Sequence, residues 1–202
     1  MGEAYLLLDN GTVFEGRPFG YIGEAVGELV FSTAMTGYLE ALSDPAYHGQ
    51  ILLQTFPLIG NYGVIPRDFG SGPIHLKAYI VRQWCQEPSN FRSEGNLDSF
   101  LRERGIPGLY GIDTRALTRI IRENGTMNAM ISTCPELCED RLASLRGYRV
   151  AGAVAAVEAT EKLDPDASLL TKGLAAVAGF KGAGKLETLG QSTESKSEEQ
   201  AD

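Results

Sequence analysis

The sequence predicts a mixed α/β fold in which strands and short helices are interleaved within one domain. Three observations lead there. Short apolar runs, such as Leu6-Leu7-Leu8, Leu29-Val30-Phe31 and Ile51-Leu52-Leu53, are bounded by Gly, Asn or Pro and suit strands. Further along, Leu97, Phe100 and Leu101, and then Leu117, Ile120 and Ile121, fall at the spacing of one helical face. A chain of 202 residues with 43% hydrophobic content buries one ordinary core and is too short for two full enzyme domains.

Taken in order, Tyr5 to Leu8 and Thr12 to Gly16 flank Asp9-Asn10-Gly11, a hairpin signal with a left-handed turn at Asn-Gly. Leu29 to Ser32 is a strand, and Tyr38, Leu39 and Leu42 suit one or two helical turns that Asp44-Pro45 stops. Ile51 to Phe56 reads as a buried strand, followed by a loop that Pro57 and Gly60-Asn61-Tyr62-Gly63 impose. Another strand is expected over 74–81. Asn96 caps a short amphipathic helix that ends at Gly105. Asp113 caps a second, with Leu117, Ile120 and Ile121 buried, Arg115, Arg119 and Arg122 facing away and Gly125 as its stop. Thr126 to Ile131 returns as a strand. Pro135 opens a third helix whose apolar face is Leu137, Leu142 and Leu145.

Charge and composition exclude several function classes. The formal charge of -8 and pI near 4.9 argue against binding to nucleic acid, which needs clustered Lys and Arg. Five acids against Lys196 over 187–202 supply four of those eight charges, so the folded part is mildly acidic. No window holds the roughly 20 apolar residues of a spanning helix, and the first residues lack a basic, apolar leader, so no membrane partner and a cytoplasmic location are expected. Cys85, Cys134 and Cys138 read as reduced thiols. Asn10-Gly11-Thr12 and Asn124-Gly125-Thr126 read as turns rather than glycosylation sites.

Catalytic constellations are missing. A thiol nucleophile exposed on a strand-to-helix elbow needs a tight glycine-flanked turn and a histidine partner. Cys85 stands in Gln83-Trp84-Cys85-Gln86, Cys134 precedes a proline and Cys138 falls within a helical pattern. His48 and His75 are the only histidines. Cys134 and Cys138 make half a metal site with nothing nearby to complete it, so neither a metal nor a cofactor is expected. GFKGAGK, over 179–185, imitates a phosphate loop but is followed by Leu186, where Ser or Thr would hold magnesium, and reads as a glycine-rich linker. The arginines at 115, 119 and 122 form either a solvated face, an anion site or a docking face.

Two long runs carry a family resemblance: GELVFSTAMTGYLEALSDPAYHGQ with ILLQTFPLIGNYG, over 27–63, and GIDTRALTRIIRENGTMNAMI, over 111–131. In this order and at this separation they resemble the N-terminal domain of the small subunit of glutamine-dependent carbamoyl-phosphate synthase. The resemblance covers 4–157, then stops. It implies a swivelling β/β/α-type domain. Beyond it, composition alone predicts an Ala/Gly-rich extension over 158–186, with a short helix over 168–177, and an acidic disordered tail over 187–202. The resemblance also implies a noncatalytic structural and docking role in an assembly that makes carbamoyl phosphate from glutamine, bicarbonate and ATP for arginine and pyrimidine synthesis. The implied partners are the large synthetase subunit and a glutaminase domain supplied in trans, because the C-terminal glutaminase domain of the family is not found in these residues and the chain looks truncated. The alternative is a relic or binding module that self-associates or takes another partner. One departure stands inside the first run. The family typically has Ser between Pro and Tyr, helping to hold glutamine at the domain interface, and here that position is Ala46. Loss of the hydroxyl removes a hydrogen-bond partner for a bound amide.

Overall fold

Seven strands close into a barrel. The computed structural model describes residues 2–69, 74–136 and 138–150. The chain divides into two units, Met1–Arg149 and Val150–Asp202. The described residues are almost all of the first, so the expected extension, its short helix, the glycine-rich linker and the acidic tail lie outside them.

The first two strands, β1 (Ala4–Leu8) and β2 (Val13–Gly20), form the expected hairpin, with Leu6 opposite Phe14. Its turn is tighter in its use of left-handed backbone than expected: Gly11 alone has positive φ, at 90°, and its amide donates to Leu8 O at 2.9 Å. Asn10 instead accepts from the Thr12 amide through its side chain, at 2.9 Å. β3 (Ala25–Ser32) leads into α1 (Tyr38–Ser43) and a 3-10 turn over Pro45–Tyr47, which return the chain to β4 (Gln50–Gln54), parallel to β3. β5 (Leu58–Ile59) and β7 (Gln83–Trp84) pair as a separate two-stranded ribbon, with β6 (Ala78–Val81) between them in sequence. α2 (Leu97–Glu103), β8 (Pro107–Tyr110), α3 (Thr114–Asn124), β9 (Met127–Ser132) and α4 (Glu139–Gly147) follow.

Around the barrel the order is β1-β2-β8-β6-β4-β3-β9, and β9 pairs with both β1 and β3. The stretch β3-β4-β6-β8 is parallel, and the remaining pairings are antiparallel. Closure leaves no strand edge in the main sheet. Because side chains alternate across a strand, each strand serves two cores. Leu6, Leu8, Leu29, Ile51, Leu53, Ile80, Leu109, Met127, Ala129 and Ile131 meet in one cluster that draws on strands from all round the ring, which places it in the interior. Leu117 and Ile121 of α3 join that cluster, so the helix closes one mouth of the barrel. On the outside, Leu52, Tyr79 and Val81 pack with Leu39 and Leu42 of α1 and Leu97 and Leu101 of α2. A smaller outer cluster joins Leu7 and Met130 to Leu145 of α4.

The caps follow the sequence. Asn96 accepts from the Ser99 amide at 2.9 Å, and Asp113 accepts from the Arg115 and Ala116 amides at 3.1 and 3.0 Å. Other expectations are corrected. The strand expected over 74–81 is regular only from Ala78, because the segment before it meets β4 through single bonds, Gly49 N to His75 O and Lys77 N to Gln50 O. The strand at Ile51 ends at Gln54 rather than Phe56. Pro135 does not open α4, which begins at Glu139 with Cys138 as its cap, where Glu139 and Asp140 complement the positive end of the helix. Cys138 therefore precedes the helix instead of lying within it. Leu145 is buried and Leu142 only half-buried.

Candidate functional site

Glycines and tyrosines of the 27–63 run hold one another in place. Gly37 adopts φ of 80° at the start of α1, a left-handed position that suits glycine. The orphan amides there find their acceptor elsewhere in the chain: the Tyr62 hydroxyl oxygen receives the amides of Gly37 and Tyr38, both at 3.2 Å. Tyr38 answers by donating its hydroxyl to Gly63 O at 2.6 Å, and the two rings stack at 4.1 Å. Burial pushes both phenols above the ordinary tyrosine value. Gly63 has φ of 70° and no room for a Cβ, which would fall 1.9 Å from Ser93 Oγ. These two tyrosines thus fix the angle at which α1 delivers the turn over 44–49.

Ala46 sits in that turn, exposed, with its amide donating to Asp44 Oδ1 at 2.8 Å. A side-chain hydroxyl at this position would be presented at the surface. Beside it, the rings of His48 and His75 lie 5.1 Å apart at 51°. Burial, helped by the neighbouring charges of His75 and Lys77, holds His48 below the ordinary imidazole value. The cysteines belong to other elements. Cys85 follows β7 and donates to Glu87 O at 3.3 Å, Cys134 is half-buried after β9, and Cys138 is exposed at the start of α4. Among the described residues no three His, Cys, Asp or Glu side chains are grouped to hold a metal ion, and no helix is long and apolar enough to cross a membrane.

A second feature lies at the α3 mouth of the barrel. Arg115, Arg119 and Arg122 project from the exposed face of α3, as their spacing predicts, and border an open cavity of about 510 Å³ with Thr33, Thr55, Thr114 and Thr118. Among the described residues no carboxylate lines it. The arginines came from helical periodicity, but Thr33 and Thr55 enter from the ends of β3 and β4, and only the closed sheet brings them there.

Comparison with known proteins bears on both features. The family model for the carbamoyl-phosphate synthase small chain, CPSase domain, matches residues 6–131. The chain belongs to this family. The carbamoyl phosphate synthase small chain of Clostridium perfringens is 48% identical over 162 residues, 80% of this chain and 46% of that protein. That of Bacillus caldolyticus is 54% identical over 126 residues, 62% of this chain and 35% of its own length. This chain therefore spans less than half the length of these curated relatives. Among solved structures, an aminopeptidase from Aneurinibacillus sp. strain AM-1 aligns over 65% of this chain and 32% of its own at 16% identity, with a TM-score of 0.38, too slight to bear on function. The matched region contains both long runs, Ala46 and the α3 arginines.

Proposed function

We propose that this chain serves as the noncatalytic structural and docking domain of a carbamoyl-phosphate synthase small subunit, in the cytoplasm. It braces a glutaminase domain and seats it on the large synthetase subunit, so that ammonia released from glutamine passes on to meet bicarbonate and ATP without escaping. Membership of the small-chain family over residues 6–131 carries this proposal. In the same view the domain runs over 4–157 and is a closed variant of the swivelling β/β/α type. Its parallel strands β3, β4, β6 and β8 and its antiparallel remainder support that assignment. Ala46 takes the place of a glutamine-contacting serine. Its exposure in the turn after α1 supports a surface that faces a second domain.

The test is capture of this chain by the large synthetase subunit, with and without a separately expressed glutaminase domain, followed by sizing of the complex. Stable assembly is expected. Absence of binding to either would sink the docking role and leave the second reading, a module that self-associates or takes another partner. That alternative requires a contiguous apolar surface, to which exposed side chains such as Phe91, Met35 and Ile22, at 97%, 73% and 68% exposure, would contribute.

A further inference from the structure

We infer that the cavity between α3 and the ends of β3 and β4 binds a small ligand carrying two phosphate-class oxyanions, with Arg119 shared between them. The inference does not depend on the docking role. Arg115, Arg119 and Arg122 lie on one helical face, four and then three residues apart, which sets neighbouring Cα atoms about 6 and 5 Å apart along the axis. Residues so spaced are neighbours on a helix surface, so Arg115 with Arg119 makes one seat and Arg119 with Arg122 a second. Each guanidinium offers five N–H donors in a planar fork that matches phosphate oxygens in pairs.

Among the described residues none of the three arginines is held by a carboxylate. The ion pairs among the described residues are Arg92 with Asp68, Arg102 with Asp98 and Arg141 with Glu24. Glu123 follows Arg119 by one turn, yet neither pairs with it nor lines the cavity. The helix start does not compete, because Asp113 already takes the amides of Arg115 and Ala116. Two threonine hydroxyls are also committed: Thr118 Oγ1 donates to Thr114 O at 2.7 Å and Thr55 Oγ1 to Ser32 O at 3.1 Å. Their donors are spent within the fold, which leaves the guanidinium groups to receive the charge, with Thr33 and Thr114 as the other two lining threonines. The cavity, about 510 Å³, has room for a ligand larger than a single phosphate.

Isothermal titration of the full chain with pyrophosphate, orthophosphate and a nucleoside diphosphate, against chloride at matched ionic strength, tests this. Pyrophosphate should bind more tightly than orthophosphate and lose affinity as salt rises. Arg119→Gln should weaken it about tenfold or more, and Arg115→Gln or Arg122→Gln each by less. Tighter binding of the nucleoside diphosphate would assign the site to organic diphosphates, and equal binding to the free ion. An affinity unchanged in Arg119→Gln, or no heat beyond the chloride control, would overturn the proposal. Thermal melting without ligand keeps the result interpretable, because among the described residues these exposed arginines make no side-chain hydrogen bond or ion pair, so the variants should melt close to the parent.

Discussion

Replacing Tyr62 by Phe keeps the stack on Tyr38 and removes only the oxygen that receives the amides of Gly37 and Tyr38 at the start of α1. Each lost bond costs about 0.5–1.5 kcal/mol net, and a stranded buried donor costs more. Both bonds are 3.2 Å long and only partly buried, so the lower range applies and the expected loss is about 1–2 kcal/mol in total. For a chain of this size that lowers the melting temperature by roughly 2–8 °C. Tyr38→Phe removes a shorter bond, 2.6 Å and buried, and strands the Gly63 carbonyl, so its cost should be at least as large. Because the rings touch, the double variant should depart from additivity. The assay is urea unfolding of both single variants and the double, with amide exchange across α1. If Tyr62→Phe changes stability by less than about 0.5 kcal/mol, within the scatter of ordinary surface changes, then Tyr62 does not cap α1.

Three further outcomes follow from the packing. Gly108→Ala should destabilise by about 1–3 kcal/mol, since the new Cβ would lie 2.5 Å from Phe19 Cε1 and 2.8 Å from the Phe19 backbone oxygen. Phe19 stacks on Trp84 at 5.6 Å, so the emission of this single tryptophan should shift, and an unchanged spectrum would refute the clash. Asn128→Ala should speed amide exchange in α4 but not in the barrel interior, because the Asn128 side chain donates to Leu145 O at 2.8 Å and Tyr148 O at 3.2 Å, tying that helix end to β9. His48 sits beside His75 and Lys77 with its pKa lowered first by burial. The folded state therefore binds its proton less readily than the unfolded state, and its contribution is complete above about pH 6.5 and declines as pH falls from there. His48→Asn should flatten that part of the melting-temperature profile, and a profile of unchanged slope would assign the decline to carboxylates.

What could be read in advance was local. Asn96 and Asp113 announced their helices because a short polar side chain before an apolar stripe satisfies orphan amides, and both do so. The exposed arginine face of α3 followed from periodicity alone. β8 was not foreseen: Pro107-Gly108-Leu109-Tyr110 contains two residues disfavoured in strands, and it works because Phe19 on the neighbouring strand covers Gly108. Barrel closure was equally hidden, since it depends on β9 pairing with both β1 and β3, more than 90 residues away in sequence. The threonine rim of the α3 cavity is a product of that closure. The extension and tail expected after residue 157 lie outside the described residues.

The 27–63 run is dense with unusual residues because the fold consumes them, and that narrows where function can lie. Gly37 supplies a left-handed turn, Tyr38 and Tyr62 lock the start of α1, and Gly63 leaves space for Ser93. Gly27 faces Ile51 so closely that a Cβ would lie 2.9 Å from its Cγ1, and β3 and β4 are neighbours in the parallel sheet at that point. Each of these residues has a structural partner within the domain. Ala46 differs: its amide is tied to Asp44, while its side chain is exposed and has no assigned task within the domain. A position that the fold holds in place without using is one where a serine would add a hydroxyl at no cost to the core. Ala46→Ser should therefore leave the melting temperature within a degree or two, as surface substitutions do. If the turn is the glutamine-facing edge of the domain, the same change should strengthen glutamine binding in a complex with a glutaminase domain supplied in trans. Equal glutamine affinity in the two forms would remove Ala46 from the site and leave the exposed faces of the domain as its functional surface.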